Sequence, residues 1–117
     1  MDDCAGREAT GKKGNKMVDV IASIRVKPGR LQEHLAIFKT IVREVLAEDG
    51  CIEYYPALDV ESGHPAQSKD PNVVTVVEKW RDLAALAAHS KAPHMLRLKE
   101  EAGHLVESVS LKVVEKA

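Results

Sequence analysis

The sequence predicts an α+β fold: one four-stranded antiparallel sheet with helices on one face, in the order β-α-β-β-α-α-β. Three observations predict it. Residues Val18–Val26 alternate apolar and polar with a period of two. Residues 30–48 repeat apolar side chains at steps of three and four. Residues Asn72–Trp80 carry a nearly unbroken β-branched run. The first and third patterns are strand signals and the second is a helix signal.

Taken in order, the chain begins with residues 1–16, rich in Gly, Lys, Asp and Glu and without apolar periodicity. Such a segment buries too little surface to offset its ordering entropy, so a disordered N-terminal tail is expected, with the folded domain over 17–117. In the first strand Val18, Val20, Ala22, Ile24 and Val26 form one apolar face, and Lys27-Pro28-Gly29 ends it. One helix is expected from about Arg30 to Glu48, with Leu31, Leu35, Phe38, Val42 and Val45 as its buried stripe. His34 falls outside that stripe and is expected to be solvated. Asp49-Gly50 stops the helix, with Gly50 as a left-handed cap.

The second strand runs from Cys51 to about Val60, with Ile52, Tyr54, Leu58 and Val60 on one parity. Pro56 leaves one ladder bond unmade, which predicts an edge position or a bulge. Residues Glu61–Pro71 read as a loop from their Ser-Gly, His-Pro and Asp-Pro pairs. The Val run of the third strand, Asn72–Trp80, predicts burial on both faces and a central position. Asp82 is the expected N-cap of the next helix, whose buried stripe would be Leu83, Leu86 and Ala87. Ser90-Lys91-Ala92-Pro93 marks a break, with Pro93 near a new helix start. That helix carries Met95, Leu96 and Leu98 and ends near Ala102-Gly103; a fourth strand follows over His104–Val114. Short connections and right-handed crossovers join these elements in a ferredoxin-like arrangement. Val73, Val77 and Ile21 point to the sheet face away from the helices, where water is a poor neighbour, so a homodimer is expected through that face.

Composition narrows the function classes. The chain has 117 residues, enough for one domain with one core. A net charge of −1 gives no field to attract nucleic acid or a membrane surface. No apolar run approaches the ~20 residues of a membrane helix. The acidic start, Met1-Asp2-Asp3-Cys4, does not read as a secretory signal. The two cysteines, Cys4 and Cys51, form no disulfide framework, and a reduced, cytoplasmic protein is expected. Aromatics make up only 3% of the chain, so each one that occurs is informative.

The stretch Asn72–Leu98 gathers the chemistry. It holds one carboxylate (Glu78), the sole tryptophan (Trp80) and two imidazoles (His89 and His94). Glu78 and Trp80 share strand parity with Val74 and Val76 and therefore face the helices. A buried carboxylate needs a partner, and His89 or His94 on the covering helices would supply one. Tyr54 adds a hydroxyl from the neighbouring strand. A small-molecule site commonly has this form, an apolar cavity with a few converging polar groups. Plainer roles stand beside it: Trp80 and Tyr54 as packing, Glu78 as a structural partner or backbone cap, His89 bonded to a helix carbonyl. A two-histidine, one-carboxylate metal set would need His89, His94 and Glu78, but their five-residue spacing across a break is nonspecific, and no metal is assigned. Gly-rich phosphate loops, a Ser-His-Asp signature and a CxxC pair are absent.

Residues 17–117 resemble the antibiotic biosynthesis monooxygenase family, and within it the small quinol monooxygenases. The resemblance rests on Val20-Ile21-Ala22-Ser23-Ile24-Arg25-Val26-Lys27-Pro28-Gly29, on Glu48-Asp49-Gly50-Cys51 with Tyr54, and on Gln67-Ser68. It continues through Glu78-Lys79-Trp80, Leu86, His89, Pro93 and His94. It implies a dimeric α/β barrel that oxidises a small aromatic quinol or phenol with O₂, without flavin, haem or metal. It also implies roles: His89 or His94 as the base, Glu78 fixing the histidine tautomer, Trp80 stacking on the substrate ring, Tyr54 bonding a substrate oxygen. The family's haem-degrading branch uses an Asn on the first strand, where this chain has Ala22. Its isomerase branch, acting on a phosphorylated ketone, would need a cation such as Arg97 or Lys99. A non-catalytic dimeric binding module for a hydrophobic ligand is the remaining alternative.

Overall fold

The computed structural model describes residues 16–117; the expected N-terminal tail, apart from Lys16, lies outside them. The elements are β1 (Val18–Val26), α1 (Leu31–Lys39), α2 (Val42–Leu46), β2 (Cys51–Ala57), β3 (Val73–Trp80), α3 (Leu83–His89), α4 (Pro93–Ala102) and β4 (Val106–Val114), with a 3₁₀ turn over Gly103–Leu105 before β4. The strands form one antiparallel sheet in the order β2-β3-β1-β4. The fold is the ferredoxin-like α+β arrangement read from the sequence. β3 is internal, as its Val run requires, and Pro56 sits on β2, an edge strand, where sheets accommodate proline.

Parity sorts the side chains. On β3, Val74, Val76, Glu78 and Trp80 are buried, and the residues between them are half-exposed. On β1, Val18, Val20, Ala22 and Val26 are buried. These faces pack against Leu35 and Phe38 of α1, Ile41, Val45 of α2 and Ala85 of α3 in a single core. The register sets Tyr54, Glu78, Val20 and Val113 in one row across all four strands. Row neighbours in a sheet stand about 5 Å apart and share a face, so Tyr54 and Glu78 are adjacent. The opposite face exposes Ile21, Tyr55 and Val114.

Four details depart from the sequence reading. The single helix expected over residues 30–48 is two helices. At the junction the N–H groups of Thr40 and Ile41 bond Ile37 and Phe38, three residues back, and the Thr40 hydroxyl bonds the Ile37 carbonyl at 2.6 Å. A threonine that donates to its own helix backbone tightens the turn. β2 ends at Ala57, and a register shift between Cys51 and Glu53 turns Ile52 outward, to 46% exposure, and leaves Cys51 against the core. A bulge inverts the parity of everything before it. On α3 the buried residues are Ala85 and His89; of the expected stripe Leu86 is half-buried, while Ala87 and Leu83, the latter 47% exposed, face out. His104 lies in the 3₁₀ turn rather than in β4.

The helices leave β4 uncovered. Val109, Leu111 and Val113 share the helix-side face with Ile24, Ala22 and Val20, yet stay 56%, 64% and 45% exposed. Among the described residues no helix is long and apolar enough to cross a membrane.

Candidate active site

The site begins at a turn. Asp49-Gly50 ends α2 with Gly50 at φ +88°, a conformation that glycine adopts without a Cβ clash. A Cβ on Gly50 would lie 2.5 Å from the Ala85 Cβ, so α3 packs directly on the turn. Three contacts fix the docking. Arg81 grips Asp49 with both guanidinium nitrogens, at 3.0 and 3.1 Å. The Arg81 N–H donates to the Gly50 carbonyl at 2.7 Å. Asp82 caps α3 by accepting from the Ala85 N–H at 2.9 Å, as its sequence position predicts. The exposed ion pair itself adds little stability; its value is geometric.

This docking carries Glu48 beneath the end of α3. Glu48 Oε2 lies 2.8 Å from His89 Nδ1 and 2.7 Å from His94 Nε2. All three side chains are largely buried. The break before Pro93 makes this convergence feasible, because Ala92 is extended and α4 restarts at Pro93 in a new direction. A carboxylate only accepts, so His89 Nδ1 and His94 Nε2 carry the hydrogens. The ring nitrogen of His89 that lies outside this pair is Nε2.

Aromatic rings surround the dyad. His89 meets the Trp80 ring at 4.6 Å and the edge of Tyr54 at 5.4 Å between centroids. Tyr54 stacks on Phe38 at 5.8 Å, and Phe38 meets His34 at 6.1 Å. A cavity of about 610 Å³ lies along this run, between sheet and helices. Its polar wall includes His34, Tyr54, Glu78, His89, Ser90 and Lys99 among aliphatic side chains.

Glu78 takes a different partner from the one expected. Its Oε1 accepts from the Trp80 indole N–H at 2.9 Å, and the histidines turn instead to Glu48. Burial raises the Glu78 proton affinity, against smaller opposing effects of the Trp80 bond and His89. Burial likewise raises that of Tyr54, so its phenol stays protonated and able to donate. Burial pushes the Cys51 thiol up to about 11, which leaves it an inert thiol rather than a reactive thiolate. His34 is lowered by burial and stays neutral.

Of the five residues singled out in the sequence, Glu78, His89 and Tyr54 are on the cavity wall. Trp80 is fully buried behind His89 and His94 sits behind Glu48, neither on the wall. The row of β3 explains this: Trp80 is the last strand residue and lies under α3, past the end of the cavity. Sequence reasoning missed Glu48 and misplaced His34, which is 2% exposed. Both fall on the apolar helix spacing, His34 between Leu31 and Phe38, and Glu48 three residues beyond Val45. That spacing was the available signal. The donor atoms of Glu48, His89 and His94 lie within 4.8 Å of one another, and these residues could hold a metal ion. The carboxylate of that set is Glu48 rather than Glu78. Arg97 is paired with Glu44, outside the cavity, and Lys99 lines it.

The family model described as antibiotic biosynthesis monooxygenase matches residues 17–101. The chain is 34% identical over 101 residues to the Escherichia coli (strain K12) protein named "Probable quinol monooxygenase YgiN", covering 85% of this chain and 97% of that protein. Among solved structures it is similar to PA3566 from Pseudomonas aeruginosa, with a TM-score of 0.74, 24% identity, and coverage of 91% of this chain and 99% of that one. It is also similar to Rv0793 from Mycobacterium tuberculosis, with a TM-score of 0.71, 25% identity, and coverage of 87% and 96%.

Proposed function

The chain belongs to the antibiotic biosynthesis monooxygenase family, and from that premise we propose that it is a monooxygenase oxidising a quinol or related polyphenol with O₂. The observation that carries this reading is the Glu48–His89 pair at 2.8 Å, with His89 on the wall of an apolar cavity. A carboxylate on one imidazole nitrogen orients the ring and stabilises the imidazolium that forms when the other nitrogen takes a proton. His89 Nε2 is therefore the base that removes a substrate hydroxyl proton. Tyr54 donates to a substrate oxygen. Glu78, whose burial favours the protonated acid, returns a proton to reduced oxygen. His94 and Trp80 act from behind, His94 by sharing Glu48 and Trp80 by packing His89 and bonding Glu78.

The electrons come from the substrate ring. Deprotonation gives an electron-rich anion that reduces O₂ directly. A quinol C–H becomes C–OH and the ring becomes a quinone, a loss of four electrons. One oxygen atom enters the ring and the other leaves as water, which balances quinol plus O₂ against hydroxyquinone plus water. No flavin, haem or metal enters the scheme. The low-polarity cavity strengthens the contacts to the anion and keeps bulk water from the radical pair.

The reading includes a homodimer through the sheet face that exposes Ile21 and Tyr55, giving the dimeric α/β barrel. The test is oxygen uptake by the protein against a panel of reduced quinones and polyphenols, with ¹⁸O₂ and mass analysis of the product. One ¹⁸O atom in the quinone supports the reading. Saturable binding without oxygen uptake replaces it with a binding module, and oxygen-independent turnover of a phosphorylated ketone replaces it with an isomerase.

A further inference from the structure

His34 is a buried polar group without an evident structural purpose. It sits on the inner face of α1 beside Leu35 and Phe38 and is 2% exposed. Its Nδ1 is buried and has no hydrogen-bond partner among the described residues. The backbone around it is already engaged: the His34 N–H bonds the Arg30 carbonyl within the helix. Nearly all buried polar atoms in folded proteins have partners, because leaving one unmade costs its full desolvation. Nδ1 is sealed within the core, but the His34 ring also forms part of the cavity wall, so the other ring nitrogen, Nε2, is the one open to a ligand.

We propose that His34 hydrogen-bonds a second oxygen of the substrate, at the end of the cavity away from His89, and so selects rings with oxygens on two opposite edges. The proposal rests on the monooxygenase reading for the identity of the first oxygen. The two histidines mark the ends of one aromatic wall, with His34 against Phe38, Phe38 on Tyr54, and Tyr54 against His89. A substrate ring lying along this wall presents one edge to Tyr54, Glu78 and His89 and the opposite edge to His34. Burial keeps His34 neutral, which decides the chemistry of the far group. A neutral imidazole offers one acceptor and one donor. It accepts from the hydroxyl of a quinol and, in its other tautomer, donates to the carbonyl of a quinone. A neutral imidazole supplies no counter-charge, so the group that His34 itself meets is an uncharged hydroxyl or carbonyl, and His34 is a specificity-determining residue, not a base.

Binding under argon tests this apart from turnover. Dissociation constants would be measured by calorimetry for 1,4-naphthoquinone, with two ring oxygens, and 1-naphthol, with one. The full chain would be compared with His34→Leu and His34→Gln. His34→Leu should weaken naphthoquinone about tenfold, the value of one lost hydrogen bond, and leave naphthol unchanged. His34→Gln, which keeps a donor and an acceptor, should recover most of the loss. The melting temperature of His34→Leu should stay equal or rise, since an unpaired polar atom leaves the fold. Equal effects on the two ligands, no effect on either, or no naphthoquinone binding to the wild type would each overturn the proposal. A protein that discriminates the pair through His34 but consumes no oxygen would overturn the monooxygenase reading and leave this one standing.

Discussion

Glu48 and His89, 41 residues apart in the chain, meet at 2.8 Å through Oε2 and Nδ1. The pair predicts its own kinetics. His89→Ala should cut oxygen uptake by ~10²–10⁴, the usual contribution of a general base. Glu48→Gln should cut kcat about tenfold with KM nearly unchanged. It replaces a charged acceptor by a neutral one, a difference of ~1–1.5 kcal/mol per hydrogen bond. Steady-state rates with a quinol that the wild type oxidises check both. A Glu48→Gln enzyme at full kcat would remove the dyad from the mechanism.

Glu78 predicts a pH dependence of stability. Burial raises its folded proton affinity above that of the unfolded chain. The folded state thus holds the proton more tightly, and stability falls as pH climbs from about 4.5 through the folded value. Glu78→Gln keeps an acceptor for the Trp80 indole and removes the titration. Its melting temperature should exceed the wild type's at pH 7, and the gain should vanish near pH 4. His34 has the opposite sign: its lowered value gives stability that is full above about 6.5 and lost on acidification. His34→Gln should flatten that acid limb, as thermal melts from pH 4 to 7 would record.

Gly50 predicts a mechanical coupling. Gly50→Ala puts a methyl group 2.5 Å from Ala85 and forces a side chain into the left-handed region. A loss of ~1–3 kcal/mol is expected for such strain, seen as a fall of several degrees in melting temperature. Because α3 must back away from the turn, kcat should fall as well, although Gly50 is not on the cavity wall. Gly50→Ala with native stability and rate would mean that α3 does not need this close approach.

Chelation should leave the rate unchanged, since the scheme routes no electron through a metal. Dialysis against EDTA followed by oxygen-uptake assay tests this. A loss restored by one divalent ion would recast Glu48, His89 and His94 as its ligands.

The proposed homodimer predicts that the outer sheet face is sensitive to an added charge. Val77→Lys should shift the sedimentation profile from dimer to monomer, because an unpaired buried charge costs several kcal/mol. A wild-type monomer at micromolar concentration would end the barrel reading.

The sheet and its helices were legible because period-two and period-three/four patterns are local. Parity alone put Glu78 and Trp80 on the helix side, and Asp82 announced its own cap. The partner of the histidines was not legible. Glu78 and Glu48 are both glutamates near the site, and only the docking of the Gly50 turn on Ala85 decides which one reaches His89. The Ile52 bulge and the Thr40 break escaped for the same reason: each is one residue of slip inside an otherwise regular pattern. His34 stands one residue before Leu35, so a stripe stepped through Leu31, Leu35 and Phe38 leaves it outside, whereas a step of three from Leu31 and four to Phe38 puts it on the buried face.

The bare inner face of β4 sets a rule for substrate shape. Three sides of the chamber are closed by helix and strand, and the fourth, along Val109, Leu111 and Val113, is an apolar ramp reaching solvent. The cavity is then a ruler with one free end. Changes at the head of a substrate, between the two histidines, should be punished sharply. Lengthening a hydrocarbon tail that trails over the ramp should be nearly neutral, each added carbon meeting another valine or leucine rather than a wall.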